Sequence, residues 1–167
     1  GIGRLSSAAI GPLLLLISKR KNSDYVAALI DWRLFENPFL FLSDVQIPVR
    51  DFTNKHELSE ILPLLFDQMM GNVWGDSNDL ERAKRIASAW NSFSRQETED
   101  GLDITTQKKI EQTLIQDVFK EKHFSKWPVW TGESSHGTAM FIADVQYDLY
   151  IQLSNAALDQ TDDAERS

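Results

Sequence analysis

The chain contains no cysteine. That excludes a disulfide scaffold and any thiolate metal site, and it leaves the redox compartment open. Histidine is almost as scarce. His56, His123 and His136 are the only three, and none falls in a zinc-binding pair such as H-E-x-x-H. Glycine occurs in no phosphate-cradling pattern, because Gly1-Ile2-Gly3 has no strand before it. The only long apolar run, Ala8 to Ile17, is broken by Gly11 and Pro12 and falls short of the ~20 residues that span a bilayer. Its basic residues, Lys19 to Lys21, follow it, whereas a secretory leader carries them in front. No membrane association and a cytoplasmic location are therefore expected.

Positive charge is also in deficit. Seventeen Lys and Arg against 25 Asp and Glu give a formal charge of −8. An acidic surface repels phosphate, so no nucleic-acid partner is expected. Acidity favours solubility, and it also suits a partner with a basic surface.

What is present argues for a packed domain. The apolar fraction is 42%, with five Trp in 167 residues, enough to bury a core. We expect a single α+β domain over 1–159 and a disordered acidic tail over 160–167.

The stretch Phe141–Leu153 alternates: Phe141, Ala143, Val145, Tyr147, Leu149, Ile151 and Leu153 share one face of an extended chain. Asp144, Asp148 and Gln152 fall on the other. A helix with one polar stripe is the competing reading. Enrichment in Tyr, Val and Ile favours the strand. At ~3.3 Å per residue it would run about 40 Å, so it should bend or bulge.

The first third reads as an antiparallel meander. Leu13–Ser18 is one strand and KRKNSD, residues 19–24, a turn. Tyr25–Leu34 is a second strand with Val26, Ala28, Ile30, Trp32 and Leu34 on one face, or a helix capped by Asp24. Phe39–Val49 is a third, with Phe39, Phe41, Val45, Ile47 and Val49 on one face and Pro48 at its end or edge. Three central helices follow. The first carries Leu58, Ile61, Leu62, Leu65, Phe66 and Met69 at helical spacing, with Gly71 and Gly75 ending it. The second starts at a capping box of Asn78 and Glu81. The third spans about Thr105–Lys122. The expected fold is α+β: an antiparallel sheet from the N-terminal meander plus the C-terminal strand, with three central helices on one face.

Candidate sites cluster in two segments. Gln96–Asp103 reads as an acidic loop carrying Glu97, Glu99, Asp100 and Asp103. These do not match the spacing of a calcium loop, and no metal is expected there. Ser125–Thr138 is rich in Trp, Pro and Gly. Trp127 and Trp130 are binding anchors if exposed, and core plugs if buried, which is the commoner fate of Trp. Glu133 and His136 follow in the same segment. Ser134-Ser135-His136 lacks the G-x-S-x-G spacing of a hydrolase elbow, so no catalytic residue is assigned.

Asp31, Asp44 and Gln46 are the one enzyme-like constellation. Acids on consecutive strands can hold Mg²⁺ for phosphodiester cleavage, although Gln46 stands where such sites carry a lysine. The first expectation is a non-enzymatic, cofactor-free domain of the immunity or inhibitor type, docking on a basic protein such as a nuclease toxin through Glu97, Glu99, Asp100, Asp103, Trp127, Trp130, Glu133 and His136. A metal-dependent nuclease built on Asp31, Asp44 and Gln46 is the alternative. A non-catalytic subunit of a larger assembly is a third.

Overall fold

The structure is a computed structural model that describes residues 12–113, 119–143 and 148–153. The strands are β1 (Leu13–Lys19), β2 (Tyr25–Asp31), β3 (Val49–Phe52), β4 (Gly137–Ala143) and β5 (Asp148–Leu153). They form one five-stranded sheet in the order β3-β2-β1-β4-β5, and every pairing is antiparallel. The helices are α1 (Leu58–Trp74), α2 (Leu80–Glu99), α3 (Thr106–Glu111), α4 (Glu121–Phe124) and α5 (Pro128–Thr131). The fold is α+β, and strands from the two ends of the sequence meet at its centre, where β1 pairs with both β2 and β4.

Alternation explains which face is covered. Leu13, Leu15 and Ile17 of β1 share a face with Tyr25, Ala27 and Leu29 of β2 and with Ala139, Phe141 and Ala143 of β4, and all nine are buried. Helix α1 packs on β2 and β3 and adds Leu58, Leu62, Leu65, Met69, Met70 and Val73 to the core. Helix α2 adds Ile86 and Trp90. On the opposite face Leu14, Leu16, Ala28, Ile30 and Met140 are only half-buried and Val26 is exposed, with Ile142 the buried exception. At ~25 cal/mol per Å² of apolar surface removed from water, the covered face dominates the stabilisation.

Several sequence expectations are corrected. The described parts of the Phe141–Leu153 stretch, 141–143 and 148–153, are extended, but they belong to two strands. Ala143 pairs with Asp148, so β4 and β5 double back instead of running as one long strand. The intervening residues 144–147, including Val145 and Tyr147, lie outside the described residues, as do 114–118 and the acidic tail. The expected helix over 105–122 is broken, with α3 ending at Glu111, residues 112–113 and 119–120 not helical and α4 starting at Glu121.

Strand β2 stops at Asp31. Its carboxylate accepts from the Arg33 backbone N–H at 2.9 Å and caps a 3₁₀ turn over Trp32–Glu36, which ends the extended run before Leu34. Phe39–Pro48 is irregular, with a 3₁₀ turn at Leu42–Asp44. Of its alternating apolar residues only Val45 packs, partly buried, against the core; Phe39, Phe41 and Ile47 are exposed, as is Val49 at the start of β3. Pro48 does not end a strand but leads into β3, which lies at the sheet edge.

Helix α1 tolerates Pro63 near its start and stops at Gly75, whose φ of 82° favours glycine. A Cβ there would stand 2.9 Å from that of Ala83. Asp79, not Asn78, caps α2, accepting from the Arg82 backbone N–H at 3.1 Å. Helix α2 then continues through Gln96 to Glu99, so half of the expected acidic loop is helix.

Candidate functional site

The sequence-derived acidic segment divides by depth. Glu97 is buried in the last turn of α2. Its two oxygens accept from the Thr106 backbone N–H at 2.9 Å and the Thr106 hydroxyl at 2.7 Å. A carboxylate held by two short hydrogen bonds at the start of α3 is a structural clasp, and burial removes it from any docking surface. Glu99, Asp100 and Asp103 are exposed. Among the described residues, no Lys or Arg forms a salt bridge with any of them. Leu102 and Ile104, interleaved with them, are 42% and 45% exposed. The result is a knuckle beyond α2 that presents three carboxylates around two apolar side chains.

Trp127 and Trp130 sit in the core. Trp127 is fully buried and Trp130 is 3% exposed. Tyr25 stacks on Phe52 with ring centroids 4.8 Å apart, and both Trp rings meet Tyr25 edge-on. Burial pushes the Tyr25 phenol above its ordinary value. The segment is helical in part, since Trp127 caps the single turn of α5 and Trp130 Nε1 donates to Glu121 at 3.1 Å. The two rings are the core plugs that Trp burial favours, and they are withdrawn from the binding set. Glu133 and His136 remain exposed. Ser135 Oγ and His136 Nδ1 are 3.2 Å apart on the surface, and the Ser134 hydroxyl donates to the His136 carbonyl.

The two segments do not meet. The Trp segment gathers at the Tyr25–Lys19 end of the sheet, where Lys19 Nζ donates to the Ser135 carbonyl at 3.3 Å. Helix α3 sits at the other end, where Arg33 donates to the Lys109 carbonyl and the Thr113 hydroxyl. Strands of seven residues separate those ends by about 20 Å at ~3.3 Å per residue. Glu133 and His136 therefore belong to a different surface from Glu99, Asp100 and Asp103.

Asp31 and Asp44 are each matched to an arginine. Asp31 is fully buried and takes Arg33 Nη2 at 2.6 Å. Asp44 takes Arg85 Nε and Nη2, both at 2.9 Å. That hydrogen-bonded guanidinium holds the Asp44 carboxyl below the usual aspartate range. Gln46 contributes its backbone to α1. Among the described residues, no group of three or more His, Asp or Glu is placed to hold a metal.

The arrangement that sequence reasoning missed is built on Asn72 and Arg82. Asn72, buried in α1, accepts from the Gln46 N–H at 2.8 Å and donates to the Gln46 carbonyl at 2.8 Å. Arg82, buried in α2, donates from Nη2 to Asn72 Oδ1 at 2.9 Å and from Nε to the Asp44 carbonyl at 2.8 Å. Together they fasten the irregular 39–48 segment across the two helices. A cleft of about 580 Å³ opens beside this junction, lined by Gln46, Ile47, Val49, Asp67, Gly71 and Arg82 among others. Asn72 and Arg82 sit within helical patterns as ordinary polar residues, and nothing in their local spacing marks them.

Comparison with known protein families, curated proteins and solved structures found no match. The site is read on its own geometry.

Proposed function

We propose that this chain is a protein-binding domain that docks on a basic partner through the knuckle of Glu99, Asp100 and Asp103. The observation behind it is the set of three exposed carboxylates that form no salt bridge among the described residues, interleaved with exposed Leu102 and Ile104. Such a surface draws a cationic partner at long range and gives it apolar contact on arrival. The formal charge of −8 acts in the same sense. An inhibitor or immunity-type role, covering a basic enzyme such as a nuclease, suits this surface. The metal-dependent alternative draws no support from Asp31 and Asp44, each of which faces its own guanidinium.

The test begins with affinity capture of partners from the source cell. Surface plasmon resonance then compares the parent with the variant Glu99→Lys/Asp100→Lys/Asp103→Lys at two salt concentrations. Steering is screened beyond ~8 Å at physiological salt. The association rate should fall with salt and with charge reversal, while dissociation changes less. An association rate indifferent to both would remove this reading.

A further inference from the structure

The cleft beside Asn72 and Arg82 holds a charge that the protein leaves partly unanswered. Arg82 is 4% exposed. Its Nε and Nη2 reach only neutral oxygens, the Asp44 carbonyl and Asn72 Oδ1. Arg85 occupies both oxygens of the Asp44 carboxylate. Among the described residues, no carboxylate forms a salt bridge with Arg82, and its Nη1 has no hydrogen-bond partner. Arg82 lines the cleft, and Nη1 is not among the sealed, unpartnered polar atoms. The Asp44 carboxylate is near enough to feel the Arg82 charge but makes no hydrogen bond to it, and the open Nη1 donor is available to an anion in the cleft.

The rest of the lining restricts which anion fits. Asp67 and Asp76 stand in the same cleft and are exposed, so a purely anionic ligand is repelled. Ile47 and Val49, 49% and 57% exposed, line the same cleft. The cleft borders β3, an edge strand. The Leu29 N–H donates to the Pro48 carbonyl, which sets the phase of the ladder and turns the backbone groups of Val49 and Asp51 away from β2. A strand edge in this state accepts an extended chain.

We propose that this cleft binds the carboxy-terminal end of an extended, basic peptide segment. The terminal carboxylate meets Arg82 Nη1. Basic side chains meet Asp67 and Asp76, and an apolar side chain rests on Ile47 and Val49. The volume of about 580 Å³ lies within the ~300–1,000 Å³ common to ligand sites. The choice of a peptide rests on reading the chain as a protein-binding domain, but the surface is separate. Arg82 and Asp100 lie at opposite ends of α2, about 25–30 Å apart at 1.5 Å per residue.

The test is fluorescence anisotropy with an amino-labelled peptide of alternating lysine and valine ending in valine, as the free acid and as the amide. The free acid should bind, and the amide should bind at least about tenfold more weakly for want of a charged hydrogen bond. Gly71 lies in α1, and a Cβ there meets nothing within 4 Å. Gly71→Phe should therefore fold and fill the cleft, abolishing binding, while Gly71→Ala should retain it. Asp67→Lys and Asp76→Lys, at exposed positions, should weaken it without reference to helix packing. The knuckle variant Glu99→Lys/Asp100→Lys/Asp103→Lys should bind the peptide within about twofold of the parent at physiological salt. That arm separates failure of this site from failure of the knuckle. Equal binding of acid and amide, unchanged binding by Gly71→Phe, displacement by free lysine or valine at peptide concentrations, or no binding of the free acid would each overturn the proposal.

Discussion

The Asn72 side chain pairs with the backbone of Gln46 through two hydrogen bonds of 2.8 Å, one accepted and one donated. The amide stands in for a neighbouring strand and supplies the partners that the irregular segment would otherwise lack. Its Oδ1 also accepts from Arg82, and its Nδ2 donates to the Met69 carbonyl. Replacing Asn72 with Leu would strand the Gln46 groups and Arg82 Nη2 together. We expect a loss of about 2–4 kcal/mol, from the cost of leaving buried polar groups unpaired. Urea unfolding measures it, and a loss under about 1 kcal/mol would show that water replaces the amide without penalty.

Asp44 makes part of this anchoring pH-dependent. Hydrogen bonds from Arg85 hold its carboxyl below the ordinary value of 3.8. A depressed folded-state value means that the stabilisation is present above the unfolded value and is lost as pH falls through the folded one. Asp44→Asn should therefore be less stable than the parent at pH 7, and the difference should shrink toward pH 2. Thermal unfolding across that range is the check. A constant difference would place the effect in packing and not in the ion pair.

Trp127 and Trp130 should respond differently to removal of the indole N–H. Trp130 Nε1 donates to Glu121 at 3.1 Å, whereas Trp127 Nε1 is sealed among the described residues without a partner. Trp130→Phe loses a bond as well as area. Trp127→Phe loses area but also removes an unsatisfied donor. We expect Trp127→Phe to be the milder change by about 1 kcal/mol, with Trp127→Ala costing about 3–5 kcal/mol. Equal losses for the two Phe variants would show that Trp127 finds a partner in solution.

The sequence by itself determined the local features. Period-two alternation in Phe141–Leu153 is a property of neighbouring residues, and so are the unbroken apolar run of Leu13–Ile17 and the helical spacing of Leu58 to Met69. An α+β fold with strands near both ends follows from them. Local pattern cannot say where a strand folds back, because Ala143 and Asp148 alternate equally well in one strand or two. Nor can it say which alternating set faces a core. Phe39–Val49 alternates except at Ser43, yet Phe39, Phe41, Ile47 and Val49 are exposed and only Val45 of that set packs on the core, because Asn72 and Arg82 fasten that segment by its backbone. Depth at the acidic segment was equally hidden. Glu97 and Glu99 are two residues apart on one helical turn, so they point in different directions, and only the arrival of Thr106 makes one of them a buried clasp. The cleft is tertiary altogether. Its charge comes from Arg82, its rim from Asp67 and Asp76 and its edge from Val49, residues far apart in the chain that packing alone brings together.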